Sequence, residues 1–195
     1  MATEQENNKF WTPQFRASFT EFVFSPKRED GKVPKFGLTL LFPKWEKEPM
    51  KFIAMRNAAE TALVDRFGKK LVKKKGALKR PFLDGDEKSW DGYEDHWYVR
   101  VTSKFPPKII CRDGVTPILD ETGFYAGCYA HATVNTFCYD IDGNKGVSFG
   151  IQNIQFIKDG EPFTGGTSAE EDFDALPELD EEDGAATGDD APFDD

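Results

Sequence analysis

Hydrophobic and polar positions alternate most regularly between Gly123 and Phe163. Two runs rich in aromatic and β-branched residues flank a polar turn, Asp142-Gly143-Asn144-Lys145-Gly146, which predicts a β-hairpin. Period-2 alternation puts Tyr125, Gly127, Tyr129, His131, Thr133, Asn135, Phe137 and Tyr139 on one face of the first run. Ala126, Cys128, Ala130, Ala132, Val134, Thr136 and Cys138 fall on the other. The small-residue face suits the interior of a tightly curved barrel. The opposite face, with its rings and polar groups, suits a nucleic-acid platform.

Earlier in the chain the alternation of residues 11–24 predicts a single strand, and a charged turn over Ser25–Lys32 follows it. Val33–Phe42 reads as a second strand ended by Pro43. Residues 48–67 form the one convincing helix, since Phe52, Met55, Ala59, Leu63 and Phe67 recur at spacings of three and four. Pro49 suits its first turn and Gly68 its C-cap. His96–Ser103 is a strand with Trp97, Val99 and Val101 on one face and Tyr98, Arg100 and Thr102 on the other. Lys108–Arg112 is a short strand before the Asp113-Gly114 turn. The whole is mainly β. It fits an OB-fold-like five-stranded barrel with one intervening helix, and a five-stranded sheet with a helix laid across it would give the same pattern. Residues 1–10 read as a disordered N-terminus, 11–166 as the domain, and 167–195 as a disordered acidic tail.

Charge divides the chain the same way. The formal net charge is −10, yet residues 169–195 hold 13 acids and no Lys or Arg. The remainder has 22 acids against 25 bases, a net of +3. A mildly basic body with an acidic tail points to a nucleic-acid partner. Between Arg66 and Arg80 stand eight bases and no acid: Arg66, Lys69, Lys70, Lys73, Lys74, Lys75, Lys79 and Arg80. A solvated surface segment is the plain explanation of such a run. Phosphate tracking by a mobile loop that orders on DNA is the functional one, because backbone binding needs charge more than bidentate geometry.

For any one aromatic side chain, burial in the core competes with stacking on a base. Stacking contributes ~1–3 kcal/mol per base, so two or three exposed rings suffice. The candidates are Tyr125 and Tyr129, which share a face with small residues between them, Tyr98, which shares a face with Arg100, and Trp90 on the acidic loop Asp84–Asp95.

Catalysis finds little support. His96 and His131 sit in no metal motif, and there is no nucleophile elbow or phosphate-binding glycine loop. Asp140–Asn144 does not make a calcium loop, since Lys145 and Ile151 stand where Gly and Glu are required. No metal or cofactor is expected. A metal-dependent nuclease assembled from scattered Asp and Glu is the catalytic alternative. Three cysteines without CxxC spacing suit a reducing compartment, and neither a signal peptide nor an apolar membrane span is evident.

The residues Tyr125-Ala126-Gly127-Cys128-Tyr129, Gly150-Ile151-Gln152-Asn153-Ile154-Gln155 and Asp159-Gly160-Glu161-Pro162 resemble the C-terminal hairpin of bacteriophage-encoded single-stranded DNA-binding proteins. His96–Val99 and Lys108–Cys111 fit less specifically, and the match spans most of residues 10–166. The resemblance implies an OB-fold core and sequence-tolerant binding of single strands. It also implies a role in phage replication, recombination and repair, in the cytoplasm of the infected bacterial cell. Asp189-Asp190-Ala191-Pro192-Phe193 is similar to the acidic Pro-Phe ending of cellular single-strand binders, but Asp194 and Asp195 follow it. On this basis the tail competes with DNA for the basic body. It also docks replication or recombination proteins (a polymerase, helicase or nuclease) through Phe193, with Phe173 as a second candidate anchor. A homo-oligomer is allowed. The alternative is an interaction adaptor whose acidic tail mimics DNA on a host enzyme, and the bland alternative is a tail that only aids solubility.

Overall fold

A computed structural model describes residues 9–28, 30–31, 33–44 and 49–163 of the chain. Its strands are β1 (Lys9–Trp11), β2 (Phe15–Ser18), β3 (Phe36–Pro43), β4 (Phe82–Asp84), β5 (His96–Ser103), β6 (Lys108–Ile110), β7 (Tyr129–Ile141) and β8 (Asn144–Lys158). The helices are α1 (Glu21–Phe24), α2 (Met50–Phe67) and α3 (Lys69–Val72). Five strands close on themselves: β2 pairs with β3, β3 with β5, β5 with β8, β8 with β7, and β7 with β2. Only the β5–β8 joint of this ring is parallel. The fold is therefore mainly β, a closed five-stranded barrel of the OB type with one long helix between its strands.

The hairpin behaves as its alternation requires. Ala130, Ala132, Val134 and Thr136 of β7 point inward and are buried. Small inward side chains let β7 bend, and register shifts at Tyr129/Ala130 and Thr133/Val134 mark the bulges that absorb the bend. The turn is tighter than the five polar residues suggested. β8 starts at Asn144, and the two-residue turn Asp142-Gly143 has φ of 50° and 79°, as a type I′ hairpin demands.

The barrel interior is filled by Phe15, Leu40, Phe42, Val99, Val101, Phe149 and Ile154. Phe52, Met55, Ala59 and Leu63 of α2 enter the same core. Rings meet edge to face: Phe42 and Phe52 at 5.2 Å, Phe52 and Phe82 at 5.3 Å, Phe82 and Phe149 at 5.8 Å. Pro49 occupies the N-cap of α2, and Gly68, at φ 81°, ends the helix by donating its N–H to the Val64 carbonyl at 2.8 Å.

Three expectations need correction. Residues 11–24 do not form one strand, because the chain breaks after Trp11, resumes as β2, and turns into α1. Pro13 can donate no ladder hydrogen bond, and Phe19 adopts a positive φ of 56°, which no strand accommodates. Lys9 and Phe10 belong to β1, paired with Asn135 and Val134 of β7, rather than to a disordered arm. The short strand at Lys108 ends at Ile110. Residues 1–8 and the acidic tail, Phe173 and Phe193 included, lie outside the described residues. No helix among the described residues is long and apolar enough to cross a membrane.

Phe149 is fully buried and contacts both Phe10 (5.9 Å) and Phe82. Phe149→Ala leaves a cavity at the β5–β8 seam and should lower unfolding free energy by about 3–5 kcal/mol, measured by urea titration.

Candidate nucleic-acid interface

The outward faces of β2, β3 and β5 form one surface. Strand register places Ser18, Thr39 and Arg100 side by side. The next row is Arg16, Leu41 and Tyr98, extended by Leu83 of β4 and by Tyr129 of β7. Tyr93, from the loop between β4 and β5, lies on this surface. It is 1% exposed, its ring stands 5.4 Å from Tyr98, and its hydroxyl donates to Ser18 Oγ at 3.3 Å. Burial pushes its phenol above the usual range, against the opposing effect of hydrogen bonds with Ser18 and Thr39. Tyr98 is therefore 4% exposed, packed between Leu41 and Tyr93, and offers no free face for stacking. Alternation placed it outward correctly, but a loop covers it.

The covering loop is held by charge. Lys44 Nζ reaches Asp84 Oδ1 at 2.5 Å and Asp86 Oδ2 at 2.6 Å. The Lys44 hydrogen bond, with a second from the Asp95 N–H, holds the Asp86 carboxyl below its ordinary range, and hydrogen bonds with Asp84 and Asp86 raise Lys44. A Cβ at Gly85 would stand 2.1 Å from the Tyr93 carbonyl oxygen, so only glycine fits there. At the tip, Trp90 is 42% exposed and meets Phe19 edge-on at 5.3 Å, with Lys88 Nζ 5.3 Å from its ring centroid. Phe19 is itself 36% exposed. Its left-handed backbone, a conformation costing about 1–3 kcal/mol, turns its ring toward Trp90.

At the other end of the Ser18–Thr39–Arg100 row lies an open groove of about 460 Å³, lined by Lys79, Arg80, Leu83, Arg100, Tyr139 and Ser148 among others. Lys79 is fixed there by the backbone: its N–H donates to the Lys145 carbonyl at 2.9 Å, and its carbonyl accepts from Val147 N–H at 3.1 Å. Gly146 makes this approach possible, since a Cβ would stand 2.6 Å from the Lys79 oxygen and 2.7 Å from the Tyr139 hydroxyl. The basic run is thus not wholly a loose loop. It starts with Arg66 in the last turn of α2 and continues through α3, its end is bonded to the hairpin, and Lys69, Lys70, Lys73, Lys74 and Lys75 are exposed. Arg80 donates to Glu60 of α2, and that hydrogen bond raises its pKa further.

Tyr125 and Tyr129 both lie against the segment 159–163. The Tyr125 hydroxyl donates to Asp159 Oδ1 at 2.9 Å, and burial followed by the Asp159 hydrogen bond pushes its pKa up. Tyr129 lies between two cations, with Lys158 Nζ at 4.7 Å and the Arg16 guanidinium at 5.9 Å from its centroid. Arg16 donates to the carbonyls of Gly127 at 3.0 Å and Glu161 at 2.6 Å, and carries the Phe163 ring at 4.2 Å. Together they strap residues 159–163 to the barrel.

The structure therefore gathers Lys79, Arg80 and Arg100, places Trp90 at the far end of their row, and commits Tyr98 and Tyr125 to packing. Tyr139 and Phe19 join the surface without having been singled out. Tyr139 was legible as an outward position of β7, whereas nothing in sequence marked the positive φ that exposes Phe19. Three cations and a ring around an open groove can hold a polyanion and stack a base. Among the described residues no group of three or more His, Cys, Asp or Glu is placed to hold a metal.

Residues 8–186 match the family described as the ssDNA-binding protein of Enterobacter phage Enc34. Protein p50 of Acyrthosiphon pisum secondary endosymbiont phage 1 is 33% identical over 176 residues, covering 86% of this chain and 93% of its own. The fold is similar to the single-stranded DNA-binding protein from bacteriophage Enc34 in complex with ssDNA, with a TM-score of 0.67 at 20% identity over 82% of this chain and 91% of that one. It is also similar to gp2.5, a single-stranded DNA-binding protein encoded by bacteriophage T7, with a TM-score of 0.57 at 9% identity over 84% and 91% of the two chains.

Arg16→Ala removes two charge-assisted hydrogen bonds and the Phe163 contact. It should destabilise the fold by about 1–2 kcal/mol and make the 159–163 strap more readily cut in limited proteolysis than it is in wild type.

Proposed function

The chain belongs to the family of phage single-stranded DNA-binding proteins represented by that of Enterobacter phage Enc34, and on that premise we propose that it binds single-stranded DNA without regard to sequence. The observation that carries this reading is the groove at the end of the Ser18–Thr39–Arg100 row, where Lys79, Arg80 and Arg100 converge beside Tyr139. The cations neutralise phosphates, and Tyr139 and the Trp90–Phe19 pair offer ring faces and edges to unpaired bases. Lys69 to Lys75 extend the positive surface along the backbone path. The protein acts by coating and protecting strands during phage replication, recombination and repair in the infected cell's cytoplasm. It binds and does not catalyse.

The acidic tail of 13 carboxylates has two compatible roles in this proposal. It competes with DNA for the basic groove, and it leaves when a strand arrives. Phe193 then becomes available to dock a replication or recombination protein. The first role follows from opposite charge on one chain, a body of +3 and a tail of −13, and the second from the resemblance of the Pro192-Phe193 ending to that of cellular single-strand binders.

Titration of fluorescent single- and double-stranded oligonucleotides across a salt series tests the proposal. Log affinity for single strands should fall with log salt at a slope of about −0.7 per neutralised phosphate. Lys79→Ala and Arg100→Ala should each flatten that slope by about 0.7, whereas Tyr139→Ala should weaken binding by about 1–3 kcal/mol with little change of slope. Deleting residues 169–195 should tighten binding at low salt. An unchanged affinity after that deletion refutes competition by the tail, and a body that ignores oligonucleotides refutes the proposal.

A further inference from the structure

Arg80 stands on the crest between two depressions. One is the groove described above. The other, about 760 Å³, runs between α2 and β4–β5 and is lined by Phe52, Arg56, Glu60, Phe82 and Trp97 as well as by Arg80 and Pro81. Across the mouth of this second cleft Arg80 pairs with Glu60. Nε donates to Oε1 at 2.5 Å and Nη2 to Oε2 at 3.1 Å, two parallel bonds of the fork-on-fork kind. A guanidinium fork fits a phosphate as well as it fits a carboxylate. Both side chains are open to water, at 41% and 44% exposed. The pair is therefore held with the strength of a surface ion pair and is readily exchanged.

We propose that Glu60 is a built-in phosphate surrogate, a carboxylate that occupies the Arg80 fork until a phosphate of the strand displaces it. The inference rests on the single-strand reading above and deepens it. Before DNA arrives, Glu60 fixes the direction in which Arg80 presents its donors and cancels its charge. When a strand enters the groove, the phosphate takes over those donors and Glu60 returns to water. No proton moves. The polyanion prevails because each phosphate bound releases condensed counterions, which an isolated carboxylate does not hold. Loss of the pair also unlatches the mouth of the α2 cleft, since its two members come from opposite walls. Glu60 thereby sets the affinity of the body below what its cations would reach unaided.

The test compares full-length wild type, Glu60→Gln, Arg80→Ala and the double variant, each titrated with fluorescein-labelled oligothymidylate at several salt concentrations. Glu60→Gln should bind roughly two- to fivefold more tightly than wild type, with a steeper salt slope. That gain should vanish in the Arg80→Ala background. Glu60→Asp, which keeps the charge but shortens the reach by one methylene, should also bind more tightly than wild type. A gain of equal size with and without Arg80 would mean that Glu60 acts as a distant negative charge, and would overturn the proposal. So would the absence of any gain in both Glu60 variants. Wild-type protein that binds no oligothymidylate at any salt overturns the single-strand reading, and this proposal with it. Binding by wild type with purely additive variants overturns this proposal alone.

Discussion

Every other element depends on the hydrogen-bonded closure of the ring through the long β7–β8 hairpin. A sheet edge left open exposes unpaired N–H and C=O groups, and the hairpin has two such edges. β7 meets β1 and β2 along its free side, and β8 meets β5, β6 and the Lys79 backbone along its own. The closure fixes which side chains point in. It also fixes which segments distant in sequence become neighbours. Lys79 lies 66 residues before Lys145, yet the backbone bonds between them hold the end of the basic run against the hairpin.

Closure also explains why the outer face is not uniformly wet. β3 is buried on both sides: Leu40 and Phe42 enter the barrel, and Leu41 lies beneath Tyr93 on the outside. The loop that carries Tyr93 covers one row of the β2–β3–β5 surface and leaves the Arg100 end open. Covering of this kind divides the rings into two classes. Tyr93, Tyr98 and Tyr125 stabilise the fold through packing and hydrogen bonds, while Trp90, Phe19 and Tyr139 border solvent.

Charge is arranged to match. Lys44 pairs with both Asp84 and Asp86 where the loop is anchored, so two of that loop's carboxylates serve to hold it in place. Glu60 satisfies Arg80 across a neighbouring cleft. Such exposed pairs contribute little to stability. The importance of the Glu60–Arg80 pair lies in occupancy, because a guanidinium already paired must give up its carboxylate before it can take a phosphate.

Period-2 alternation, proline and glycine placement, and charge segregation are local properties, and the sequence alone fixed what depends on them. These include a hairpin within Gly123–Phe163, strand β5, helix α2 with its buried stripe, the mainly-β class, and the opposition of a basic body to an acidic end; closure into a barrel rather than an open sheet was not among them. Face membership on β5 and β7 was legible for the same reason: side chains alternate whatever the partner strand. Local pattern carried no information about what crosses a face. It could not show that Tyr93 would cover Tyr98, that Arg16 and Asp159 would commit Tyr129 and Tyr125 to the strap, or that Phe19 would break its strand at a positive φ. Only tertiary structure decided that Lys79, Arg80, Arg100 and Tyr139 share one groove. They come from segments joined solely by strand pairing, and that pairing is set by the register of the whole closed ring.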